Sequence, residues 1–207
     1  QADVASQVEM EQRVANLARK MGDPAVVTST YYRIVALEGK NSTYKDSLAY
    51  IYYSAGQFAA SFMMAGEVLE REPKHLEMLE IKAVSLESLG AIDKSAEVYA
   101  ELFDLTKSNV HGYSLAKLQY TLKRYQDAYK TIQEVESLND TGSYKINFVI
   151  NQNHTQQVEL LGAIPYLKGL IEDELEMKDA AKLSYEKALV VQPDFILPKD
   201  RIEALNK

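Results

Sequence analysis

Three histidines, thirty carboxylates and fourteen tyrosines are the side chains in these 207 residues that could do chemistry, and there is no cysteine. Most of that list shortens quickly. His75, His111 and His154 lack the i, i+4 spacing by which one helix face holds a metal, and each reads as a surface or turn residue. No H-E-x-x-H, phosphate loop, dinucleotide fingerprint or nucleophile elbow occurs. Without a thiol there is no disulfide, thiolate nucleophile or zinc–thiolate site. The acidic runs Glu172-Asp173-Glu174 and Glu67, Glu70, Glu72 read as solvated helix faces, since no calcium-loop spacing accompanies them. Met63-Met64 reads as packing between helices. The reading is therefore noncatalytic, with no metal and no cofactor. Tyrosine remains, and its chemistry is contact: a large rigid face, little entropy to lose and a hydroxyl handle.

Bulk properties narrow the partners. The chain is 46% hydrophobic and 26% charged, an ordinary globular composition. No run of 18 apolar residues is present, so no transmembrane segment is expected. A net charge of −7 argues against nonspecific binding to nucleic acid or anionic membranes, both of which reward a basic face. The opening Gln1-Ala2-Asp3 is what a removed signal peptide leaves, and equally what an arbitrary cut leaves. With the sequons at Asn41, Asn139 and Asn153, it sets a secreted or periplasmic expectation, the alternative being cytoplasmic.

What positions the tyrosines is a repeat. Gly22, Gly56 and Gly90 are 34 residues apart. Ala15, Ala49, Ala83 and Ala116 keep that beat at 34, 34 and 33, as do Val27, Ser61, Ser95 and Ala128. Both series then jump 53 residues, to Gly169 and Ala181, which is one more repeat plus about 19 inserted residues. Glycine can take the left-handed conformation that ends a helix. Small residues let two helices approach closely, which predicts Ala49 facing Ser61 and Ala83 facing Ser95. Leu48, Tyr52 and Phe58 in one unit, and Leu86, Ile92 and Tyr99 in the next, fill the layer between.

These residues resemble the tetratricopeptide repeat, whose 34-residue pattern runs W-x2-L-G-x2-Y, A-x3-F, P. In 42–75 the match is Leu48, Ala49, Tyr52, Gly56, Ser61 and Pro73, with Lys45 in place of tryptophan and Ala65 in place of the aromatic. The last unit matches at Gly169, Ala181, Tyr185, Ala188 and Pro193, with Pro165 where tryptophan would fall. The unit 76–108 keeps Ala83, Gly90 and Tyr99 but has Lys107 for proline. The resemblance implies an all-α, right-handed superhelical stack of about five helix-turn-helix repeats. It is expected as a single domain over 1–207, with repeats at about 8–41, 42–75, 76–108, 109–142 and 162–195 and a capping helix at about 198–207. It also implies that the first helix of each repeat lines a concave groove. Carried onto this chain, the groove residues are Asn16, Arg19, Asp46, Tyr50, Tyr53, Glu80, Glu87, Tyr113, Lys117, Tyr120 and Tyr166. The family's grip on a C-terminal carboxylate is not expected: Gln12, Ser47, Glu77 and Ile81 stand where basic residues and Asn would be needed.

Residues 141–161 break the repeat as an insertion centred on 143–161. Tyr144, Ile146, Phe148 and Ile150 alternate with Lys145, Asn147, Val149 and Asn151, the period of an extended strand. Asn151-Gln152-Asn153-His154 reads as a turn from which Gln156-Gln157-Val158 returns antiparallel. A helical extension or an irregular loop is the other reading. The functional expectation is a protein-interaction scaffold that takes an extended peptide or partner helix in its groove, with an envelope assembly as one setting. The alternative is a module that binds a small molecule or glycan among the tyrosines.

Overall fold

Five identical turns carry the architecture. The structure is a computed structural model that describes residues 2–138 and 143–205. Gln1, Asn139 with the rest of 139–142 (the end of the fourth repeat and start of the inserted arm), and 206–207 of the capping helix lie outside the described residues. Helices α1 (Ala2–Met21), α3 (Tyr44–Ser54) and α5 (Leu76–Ser88) each end at a glycine of positive φ: Gly22 at 69°, Gly56 at 69° and Gly90 at 79°. Lys123 at 59° and Glu176 at 60° take that place after α7 (Asn109–Thr121) and α9 (Leu160–Glu174). At all five ends an N–H reaches back five residues to a helix carbonyl, from Asp23 to Ala18, Gln57 to Tyr52, Ala91 to Leu86, Arg124 to Gln119 and Met177 to Glu172, each at 2.9 Å. The chain then enters the second helices: α2 (Pro24–Glu38), α4 (Phe58–Arg71), α6 (Ile92–Thr106), α8 (Tyr125–Ser137) and α10 (Lys178–Val191). The entry to α2 has Asp23 accepting from Val26 N and Pro24 in the first turn, the two start signals its sequence carries. Helix α11 spans Ile196–Leu205.

The chain forms two compact units, Gln1–Val98 and Tyr99–Lys207. In the first, the small-residue pairs meet as their spacing predicts. Ser61 donates to the Ala49 carbonyl at 2.9 Å and Ser95 to the Ala83 carbonyl at 2.8 Å, all four side chains being buried. Each hydroxyl thereby finds an acceptor at the point of closest helix approach. Ile34, Leu48 and Val68 form the centre of the core. Lys45, in the position of the family's tryptophan, is also buried; it reaches Glu67 on α4 at 2.7 Å, so an ion pair fills the slot of an indole.

In the second unit the closest approaches are made by glycine. A Cβ on Gly112 would lie 2.3 Å from the Val135 side chain and 2.7 Å from Phe103, and one on Gly169 2.4 Å from the Tyr185 ring. Leu102, Ile132, Ile171, Tyr185 and Phe195 are fully buried. His111, expected at a surface or turn, is buried as well: α7 turns it inward, where Nδ1 bonds Thr106 Oγ1 at 2.8 Å.

Of the readings open for the insertion, the structure holds the hairpin. Strand β1 (Lys145–Asn151) pairs antiparallel with β2 (His154–Glu159), with Ile146 opposite Val158 and Phe148 opposite Gln156. Ile146, Phe148, Ile150 and Val158 face inward while Lys145, Asn147 and Val149 face out, as the alternation demands. The turn is fixed by the Asn153 N–H donating to Asn151 Oδ1. Two glutamines fasten the hairpin to the loop before α11. Gln156 donates to the Asp194 carbonyl and accepts from Ile196 N, while Gln192 accepts from Glu159 N and donates to the Gln157 carbonyl.

Candidate functional site

In the first unit the three first helices keep their phase. Steps of 34 residues relate Asn16 to Tyr50 and Val84, Arg19 to Tyr53 and Glu87, and Gln12 to Asp46 and Glu80. Helices α3 and α5 pack directly against each other. Tyr50 is 61% exposed, with its ring 6.5 Å from that of Tyr53. Tyr53 is half-buried and braced edge-on by Phe58, at 6.3 Å. One aromatic thus stands out on a second that is held in place. Glu80 is exposed and Glu87 half-buried on the neighbouring helix. Arg19 and Asn16 are exposed, and Arg19 hydrogen-bonds the Tyr31 hydroxyl. Asp46 has a structural role instead: it receives Arg71 at 3.4 Å and lies 3.8 Å from His75 Nε2, so its charge is already compensated.

The second unit carries the same ridge positions and buries two of them. Tyr113 and Tyr166, expected on an open groove, are each 6% exposed. At Tyr166 the inserted hairpin and the C-terminal loop are the cause. Phe148 of β1 meets Tyr166 edge-on at 5.6 Å, and Phe195 closes from the other side, 5.0 Å from Tyr166 and 5.1 Å from Phe148. Tyr185 lies 5.9 Å from Tyr166 and donates to Asp173 at 2.6 Å. Burial pushes the Tyr113 and Tyr166 phenols above their usual range; Arg201 of α11, bonded to Tyr166, pulls the latter partly back. Tyr120 and Lys117 stay half-exposed, with the Tyr120 ring 5.6 Å from that of Tyr125 and tilted against it. Phe148 and Phe195, which decide this closure, carried no signal in the repeat pattern because both lie outside the helical beat.

A cleft of about 740 Å³ lies between α2 and α3, lined by Pro24, Thr28, Tyr32, Arg33, Tyr52 and Gln57 among others. The Tyr32 and Tyr52 hydroxyls bond each other, and burial together with that bond pushes Tyr52 up to about 12. The Tyr52 phenol is therefore protonated at neutral pH and offers a hydrogen bond rather than general-base chemistry. Among the described residues no three His, Cys, Asp or Glu side chains converge as a metal would need, and no helix is long and apolar enough to cross a membrane.

Against known proteins the match is structural. No family model and no curated protein matches the sequence. Among solved structures, MamA is similar with a TM-score of 0.66 at 20% identity, covering 79% of each chain. YrrB, described as a TPR protein with an unusual peptide-binding site, gives a TM-score of 0.71 at 13% identity over 91% of this chain and 88% of its own. The first TPR of Spaghetti, solved with an HSP90 peptide, gives 0.51 at 16% identity over 63% of this chain and 90% of its own. The fold is that of a tetratricopeptide-repeat protein, an all-α helical repeat. Here it carries the β1–β2 hairpin as well.

Proposed function

We propose that the chain is a noncatalytic protein-interaction scaffold, holding an extended peptide or a partner helix on the first-helix face of its first unit. The observation that carries this reading is Tyr50, a large aromatic left 61% exposed beside the braced Tyr53. Aromatics presented this way are the usual anchors of an interface, and the best of them contribute about 2 kcal/mol or more. Glu80 and Glu87 on the adjacent helix make the surface acidic, which favours a segment with a basic residue between apolar anchors. The peptide-bound TPR of Spaghetti and the peptide-binding site described for YrrB support the reading by showing what this fold accommodates. A peptide ending in carboxylates is disfavoured by the same glutamates.

One observation favours a second reading. The cleft beside Tyr32 and Tyr52 has the volume of a small-molecule or glycan site, and its polar rim could orient such a ligand. The two readings part on mutation. With a ligand captured by pull-down, Tyr50→Ala and Tyr53→Ala should each weaken a peptide at least tenfold with melting unchanged, and Glu87→Gln should reduce the salt dependence. If Tyr32→Ala abolishes binding while both ridge variants bind normally, the cleft is the site and the peptide reading is wrong.

A further inference from the structure

The two edges of the hairpin are treated differently. On the β2 side, the Gln157 carbonyl and the Glu159 N–H point away from β1 and are both satisfied by the Gln192 carboxamide, at 3.2 Å each. One side-chain amide thus stands in for a neighbouring strand and closes that edge. The geometry also fixes which groups pair inside the hairpin. Because residues 157 and 159 point outward, the hydrogen-bonded pairs are the even ones, Ile146 with Val158 and Phe148 with Gln156, continued by Leu160 N to the Tyr144 carbonyl at 2.7 Å. The N–H and C=O of Lys145, Asn147 and Val149 therefore point to the opposite edge, where no described residue bonds them.

That edge also lacks the usual protection. Strands at sheet edges are normally blunted by charge, proline or brevity. Here the stretch Lys145–Asn151 reads KINFVIN, seven residues with one charge at its start and no proline or glycine. Its single irregularity comes only at the tip, between Val149 and Asn151. Val149 is 73% exposed on the outer face.

We propose that β1 is a self-association edge, pairing antiparallel with β1 of a second copy about a two-fold axis at Asn147. Two features single out a second copy as the occupant. The first is register: centring on Asn147 sets Lys145 opposite Val149 of the other copy and Asn147 opposite its own mate. No like charges then face each other, and the two carboxamides can bond in a ladder. On the inner face Ile146 meets Phe148 of the other copy, one apolar contact repeated by symmetry. The second feature is closure. The resulting sheet runs β2-β1-β1-β2, and each outer edge is already sealed by its own Gln192, so association stops at two. This inference is independent of the peptide-binding reading, which concerns the other unit.

The test uses the whole chain and light scattering after size exclusion. The wild-type chain should show a concentration-dependent dimer at tens to hundreds of micromolar. Asn147→Lys and Asn147→Asp, whose side chains would face their own copies across the axis, should each run as monomers. An equimolar mixture of the two should regain the dimer mass, since a lysine then faces an aspartate. Asn147→Pro should also be monomeric with unchanged melting, because the N–H it removes points away from β2. A wild-type chain that stays monomeric at millimolar concentration overturns the proposal, and so does a dimer that survives Asn147→Pro or that the charge pair does not restore.

Discussion

Asp46 and Tyr166 occupy the same place on first helices of the two units, and their fates differ. The first-unit position is at the surface, its carboxylate tied to Arg71. In the second unit the helix face at that position is roofed by Phe148 and Phe195, and the tyrosine becomes core. The helices and turns are alike, down to the five matching backbone bonds. What differs is an inserted hairpin and the glutamines that fasten it. A repeat array, the comparison teaches, chooses its binding face less by its helices than by what is laid over them. The first unit keeps an open acidic and aromatic face; the second has spent the same surface on stability.

The contrast can be broken at its centre. Phe148→Ala should cost about 2–4 kcal/mol, near the range for a large-to-small change in a core, and should make Tyr166 accessible to solvent. Urea unfolding followed by tyrosine fluorescence reports both, and an unchanged midpoint would mean that the roof is ornamental. In the first unit, Tyr50→Ala should move stability by no more than about 0.5 kcal/mol, as surface changes do. Next in size are the turns. Lys123 and Glu176 hold a conformation that costs non-glycine residues about 1–2 kcal/mol. Lys123→Gly and Glu176→Gly should therefore each stabilise by about 0.5–1 kcal/mol, and Gly56→Ala should destabilise by about 1 kcal/mol. The smallest effect is a pH slope confined to the second unit. Burial raises the Glu172 carboxyl above its usual range despite the Ser184 hydroxyl it accepts, so stability present at low pH is lost as pH rises through that value. Glu136 is opposite in sign: burial pushes it up, but Lys168 and then Lys187 outweigh that and hold it low, so its contribution is lost as pH falls. Glu172→Gln should flatten the first slope and leave the second, measured as melting temperature from pH 4 to 8.

The repeat was legible because its cause is local. Gly22, Gly56 and Gly90 are where a left-handed turn is cheapest, and Ala49, Ser61, Ala83 and Ser95 are where helices touch. The alternation in 144–151 gave the strand for the same reason. The ridge was legible only where nothing distant intervened: Tyr50 stands on the surface beside the half-buried Tyr53, while Tyr166 was claimed by Phe148 and Phe195, outside the helical beat. His111 was misplaced for a kindred reason, since its partner Thr106 lies on the preceding helix and no pattern announces the bond. The Tyr32–Tyr52 pair was missed because it joins a second helix to a first helix 20 residues on, outside the family's groove.

The fastening of the hairpin has a consequence in time as well as space. Helix pairs of this kind form from contacts close in sequence, and such contacts assemble fast. The bonds from Gln156 to Asp194 and Ile196 span 38 and 40 residues, and Phe195 enters the core from the same late segment. As a ribosome delivers the chain, the first unit can complete itself early. The second must wait with Phe148, Tyr166 and the outer β2 edge uncovered until residues 192–196 emerge. That interval, rather than the finished molecule, is when this sequence is most open to mispairing.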